Sequence, residues 1–180
     1  VYDSLKDGKL NAENAAGLPE GFIGLFENEF SADMSVVNRN SILKRLAIWS
    51  LFKGSVSTHL VSDILEEDEE DVKMLIDTYS KWFNSPEPGK YILYHDRLRL
   101  YFLQKLSYHE VQSLNEKLIS YFKAAYEANK ADEAEEYALE HLSSHMFIES
   151  QLDNNYDDLH HFVNHEDLWK KQVKLSKEYI

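Results

Sequence analysis

The sequence predicts a mainly α-helical fold that carries one small β-hairpin. Three observations predict it. Apolar residues recur at three- and four-residue spacing along most of the 180 residues. One stretch, KYILYH at 90–95, alternates as a strand does. It follows NSPEPG at 84–89, which is dense in turn formers. With 43% hydrophobic and 13% aromatic residues, the chain has the material for a packed core and is unlike an acidic disordered tail.

Charge and composition exclude several functions. A net charge of −13 opposes the counterion release behind most nucleic-acid binding. The chain has no cysteine, so it has neither a disulfide framework nor a thiolate metal site, and a reducing, cytoplasmic compartment is expected. It has no 18-residue apolar run and no signal-peptide pattern, so no membrane partner is expected. The opening VYDSLKDG reads as the end of another element, and we expect a piece of a longer protein.

The elements follow in order. Residues 1–35 read as a connector: a polar stretch with Gly8 and Gly17, then LPEGFIGLFENEF, whose Phe22, Leu25, Phe26 and Phe30 behind Pro19 predict a short helix over 19–32. From Asn40, the residues Ile42, Leu43, Leu46, Ala47 and Trp49 form a broad apolar face that stops at Lys53 and Gly54. Ser57 is placed to cap a short helix carrying Leu60, Val61, Ile64 and Leu65. The acidic run EEDEED at 66–71 leads into Val72, Leu75, Ile76, Tyr79 and Phe83, a third helix. After the turn and strand, Leu98 to Leu106 is helical. Ser107 caps a longer helix with Val111, Leu114, Leu118, Phe122 and Ala125 on one face. A polar break at Asn129 to Asp132 precedes DEAEEYALEHLSSHMF. A loop at Asp153 to Asn155 separates that helix from two last runs, YDDLHHFV and EDLWKKQVKL.

Three helices, a turn and a strand in about 55 residues make the order of a winged helix, a helix-turn-helix variant with a β-hairpin wing. We therefore divide the chain into a connector (1–35), a winged-helix domain (36–106) and a helical domain (107–180) that could begin a solenoid. A winged-helix DNA-binding regulator would send the third helix into the major groove N-terminus first. That end is EEDEED, whose carboxylates would meet phosphates of like sign, whereas in a solvated first turn each favours the helix dipole by roughly 0.3 to 1 kcal/mol. Packing on protein is the better reading, and transcription regulation is the alternative.

Catalysis has little support. His141 with His145, and His161 with His165, are i, i+4 pairs, but two imidazoles are not a metal site. A zinc helix of the H-E-x-x-H kind needs Glu after the first His, where this chain has Leu142 and Phe162. His141 and His145 share a stripe with Ala134 and Ala138, which suits buried, hydrogen-bonded histidines. The chain has no G-x-S-x-G, no P-loop and no G-x-G-x-x-G, so the fragment is not expected to be an enzyme or to hold a nucleotide alone.

The period changes inside YILYHDRLRLYFLQ, at His95 and Asp96. The plain reading ends a strand at His95 and caps the next helix with Asp96. A functional reading places His95 where backbone N–H groups and the helix dipole favour an anion. Tyr94, His95 and Asp96, followed by RLRLYFLQKL, resemble the hydrophobic–His–Asp motif that ends the winged helix of STAND-type signalling ATPases, the NACHT and NB-ARC proteins. LPEGFIGLFENEF resembles that family's segment between ATPase and winged helix. LNEKLISYF and YALEHLSSHMF resemble its following helical domain. The resemblance runs from Leu18 to about Lys170, with Tyr94 where plant members have Met. It implies a regulatory and scaffolding fragment, with ADP or ATP bound by the parent and no cofactor in the fragment itself. His95 would contact the ADP β-phosphate and Asp96 would support the turn. The implied partners are an upstream ATPase domain, a downstream repeat or sensor domain, and further copies on activation.

Overall fold

The computed structural model describes residues 36–178, so the connector and the helix expected over 19–32 lie outside the described residues. Within them the protein is mainly helical with a small three-stranded antiparallel sheet. Helix α1 (Val36–Leu51) buries Leu43, Leu46, Ala47 and Trp49, as their spacing predicts. A short strand, β1 (Val56–Ser57), follows. Ser57 then caps α2 (Thr58–Leu65), its hydroxyl oxygen accepting from the Leu60 N–H at 3.1 Å.

Two expectations need correction. Helix α3 (Glu69–Thr78) stops before Tyr79, and Phe83 is not on it. The chain tightens into a 3-10 turn (Ser80–Trp82) because Tyr79 and Trp82 stack at 4.7 Å, and Trp82 also meets Phe102 at 5.5 Å. Burying both rings requires the turn. The expected turn NSPEPG is instead mostly strand: β2 (Phe83–Glu87) pairs with β3 (Lys90–Leu93), and only Pro88 and Gly89 reverse the chain. Pro86 is tolerated because β2 is an edge strand and the register shifts between Asn84 and Glu87. The sheet order is β1-β3-β2, with Val56 opposite Tyr91 and Phe83 opposite Leu93.

Five helices complete the described chain. They are α4 (Asp96–Gln104), α5 (Tyr108–Ala128), α6 (Glu133–Asp153), α7 (Asp157–Val163) and α8 (Glu166–Glu178). Ser107 and Glu110 form the capping box of α5, and Asp132 caps α6. Helix α1 packs on α4 and α5, α5 lies along α6, and α7 and α8 close against α6. One hydrophobic core runs from Leu43 to Leu168. Phe52 ties its two ends together: its ring meets Phe122 at 6.5 Å and Tyr137 at 5.6 Å, and those two stack at 4.3 Å. No helix among the described residues is long and apolar enough to cross a membrane.

Candidate functional site

The seam after β3 is built from both sides. Leu93 is buried, and the Tyr94 N–H donates to the Trp82 carbonyl at 2.9 Å. Beyond the seam, Leu98 is fully buried and Arg99 Nε donates to the Ser50 carbonyl at 3.2 Å, which docks α4 on the end of α1. His95 is held between these anchors in extended backbone, φ −145° and ψ 133°. Its Nδ1 accepts from the Arg97 N–H at 3.1 Å.

His95, not Asp96, is therefore the cap of α4. A cap needs extended backbone and an acceptor that reaches the N–H two or three residues on. His95 supplies both, while Asp96 is already helical. The Asp96 carboxylate is almost fully exposed, 3.7 Å from Arg99 Nη1 at the positive end of the helix. Because Nδ1 accepts, the neutral ring carries its hydrogen on Nε2. Tyr94 is exposed and meets the imidazole edge-on at 5.8 Å.

The acidic run is occupied structurally. Glu66 ends α2 in the left-handed region at φ 58°, and Glu67 pairs with Arg45 at 2.8 Å. Asp68 caps α3 through the Glu70 N–H at 2.8 Å. Glu69 accepts from the Thr58 hydroxyl at 2.7 Å, a bond that, with Lys73, lowers its pKa. Glu69, Glu70 and Asp71 all lie in the first turn of α3, the end a DNA-reading helix would insert.

The histidine pairs part company. His145 is fully buried and His141 half-buried, while His161 and His165 are exposed with ring centroids 6.5 Å apart. No group of three or more His, Asp or Glu among the described residues is arranged to hold a metal ion. His165 lines a cavity of about 650 Å³ between α5, α7 and α8 together with His161 and Tyr126. Its lysines are paired: Lys123 with Asp158 at 2.8 Å, Lys170 with Glu166 at 2.6 Å and Lys171 with Glu135 at 2.6 Å.

His145 is buried and hydrogen-bonded, as its stripe with Ala134 and Ala138 suggests, in a polar relay whose partners the sequence did not reveal. Its Nδ1 lies 3.1 Å from Asn115 Oδ1 and its Nε2 3.0 Å from the Tyr137 hydroxyl, which also accepts from the Lys53 N–H at 2.9 Å. Asn115 Nδ2 donates to Glu149 at 2.9 Å. Burial pushes the His145 pKa down to about 4, and Lys53 and His141 add to the effect. Burial also lowers His141 and raises Tyr137. In the sequence, the one signal for Asn115 is a polar residue beside Leu114 on an otherwise apolar face.

Comparison with protein-family models, with curated proteins and with solved structures finds no match. A functional reading therefore rests on the seam, the element order and the resemblance of the short motifs.

Proposed function

We propose that this chain is the winged-helix domain and first helical arm of a STAND-type signalling ATPase, a regulatory part that couples nucleotide state to domain rearrangement. The order α1-β1-α2-α3-β2-β3 with the sheet arranged β1-β3-β2 supports a winged helix, with β2 and β3 as the wing. The observation that carries the reading is the seam. Two residues after β3 ends at Leu93 comes a histidine whose Nδ1 is committed to the Arg97 N–H, which leaves Nε2–H as the ring's one donor at a helix N-terminus. That donor suits a phosphate oxygen.

In this reading the parent's ATPase domain holds ADP, and His95 contributes one charge-assisted hydrogen bond that favours the closed arrangement. Nucleotide exchange removes the differential contact, and the domain swings to permit self-association. Winged-helix DNA binding is the lesser reading, because Glu69, Glu70 and Asp71 occupy the leading turn of α3.

The test is ADP content and ADP release rate of the full-length parent with His95 intact and as His95→Ala. The reading expects His95→Ala to lose ADP during purification or to release it at least tenfold faster, with a Tm lowered by the lost cap, and His95→Asn to release ADP as fast at a Tm close to that of the intact protein. Equal retention would leave His95 as a helix cap only. His95→Asn separates the two roles, since Asn caps well but lacks the imidazole donor.

A further inference from the structure

We propose that the groove between α1 and α3 is the docking site of the chain's own 19–32 segment, held there as an amphipathic helix by Phe22, Leu25, Phe26 and Phe30. The groove has a volume of about 410 Å³, and its apolar lining is Ile42 of α1 with Met74, Leu75 and Tyr79 of the α3 side. Leu75 and Tyr79 are buried, whereas Met74 is 60% exposed. On α3 the lining falls at positions 71, 74, 75 and 78, one face of a helix, so the groove runs along two turns for about 10 Å.

The polar rim is satisfied from within. Arg45 pairs with Glu67 at 2.8 Å, and the Thr78 hydroxyl donates to the Met74 carbonyl at 2.7 Å. Asp71 lies in the first turn of α3, where its charge suits the helix dipole. What an occupant gains there is apolar contact, the mode in which a helix lays anchors at i, i+3, i+4 and i+7 or i+8 into a groove. Phe22, Leu25, Phe26 and Phe30 have that spacing and span about 12 Å as a helix.

Tether and charge choose the same occupant in the same direction. Arg45 meets Glu67 just before α3, so α1 runs antiparallel to α3 and its Ser41 end lies beside Thr78 and Tyr79. Three residues separate position 32 from Val36 and span about 10 Å at most, so the segment enters at that end, antiparallel to α1 as in a helical hairpin. A tether this short gives an effective concentration on the order of mM. Residues 18–35 hold Glu20, Glu27, Glu29 and Asp33 and no Lys or Arg. The entry end carries Lys81 in the 3-10 turn after Tyr79, opposite in sign to Glu27 and Glu29, while Asp71 marks the far end. A second copy is the weaker occupant, since each chain carries a net charge of −13 and copies repel. His95 is not on the groove, so this docking stands or falls apart from the nucleotide reading.

Paramagnetic broadening in the full chain tests it. The sequence has no cysteine, so a single nitroxide can be carried by Asp77→Cys on α3 or, as a control, by Lys174→Cys on α8, both exposed positions. From position 77, the amide signals of Phe26 and Phe30 are expected to lose about half their intensity or more, and from position 174 almost none. Phe22→Asp with Phe26→Asp is expected to restore the Phe30 signal. The docking is overturned if both labels broaden the segment equally, if position 77 leaves it sharp, or if the double change leaves the loss in place. It is also overturned if the loss appears when nitroxide-bearing chains are mixed with isotope-labelled chains that carry none, because a second copy would then fill the groove.

Discussion

Ser107 and Glu110 close the start of α5 reciprocally. The Ser107 oxygen accepts from the Glu110 N–H at 3.3 Å, and the Glu110 carboxylate accepts from the Ser107 N–H at 2.9 Å. Ser107→Ala is expected to cost about 1 kcal/mol in urea unfolding. The Ser107 N–H, with Lys44 at 3.1 Å, holds the Glu110 pKa down to about 2 from 4.5. A depressed carboxylate stabilises above its unfolded value and loses that contribution as pH falls. Glu110→Gln should therefore flatten stability between pH 4.5 and 2, which a pH series of thermal melts would show. Lys171 carries a larger share. It pairs with the buried Glu135 at 2.6 Å and lies 4.4 Å over the Tyr126 ring. Lys171→Met takes the counterion from that carboxylate, which keeps the Ala131 N–H at 2.7 Å, and is expected to cost about 3 kcal/mol, whereas Lys171→Met with Glu135→Gln should cost less than the single change. A cost for the pair equal to or above that of the single change would count against the account. Of the residue-scale features, both serine caps were legible because serine before an apolar run has few other uses. His95 was misread for the same reason: Asp96 is the commoner cap type, and nothing in the sequence shows that the preceding residue stays extended.

At the scale of elements, the helices and the strand β3 were legible, and the other two strands were not. Helical stripes repeat over several turns and are read many times, but β1 has two residues and carries no period at all. It exists because β3 offers a pairing edge to Val56 and Ser57. The strand β2 hides behind Ser85 and Pro86, since turn-forming composition is also what an edge strand tolerates. The relay was invisible, because its members lie on α5, α6 and the turn after α1 and meet only in the fold. The hairpin turn makes its own demand. Gly89 has φ +78° after Pro88, the pairing of a type II turn, and a Cβ there would meet nothing within 4 Å. Gly89→Ala should thus cost about 1 kcal/mol from backbone strain alone, with Gly89→Asn milder. Equal stability of the glycine and alanine proteins in urea would show that the turn relaxes.

At the scale of the molecule, the question is whether residues 36–106 and 107–178 unfold apart. Sequence spacing suggests two units, but the core does not pause at the junction: Phe52 from the first packs on Phe122 and Tyr137 of the second, and Leu118 and Phe122 of α5 are fully buried. Polar links cross the same junction, from Lys53 to Tyr137 and from Ser57 to Glu133 at 2.8 Å. Separating the halves would expose these rings and strand those groups, so the partly unfolded state lies high and one cooperative transition is expected. The tryptophans make this measurable. Trp49 and Trp82 are buried in the first half and Trp169 lies exposed on α8, so Trp169→Phe leaves emission that reports the first half alone. Circular dichroism is weighted toward α5 and α6, the longest helices, at 21 residues each. The two signals should share one urea midpoint. Phe52→Ala should move both midpoints down together by about 3 to 5 kcal/mol of stability. Emission shifting while dichroism stays would mean that Phe52 belongs to the first half only, and that the arm is free to move as a separate body around the seam.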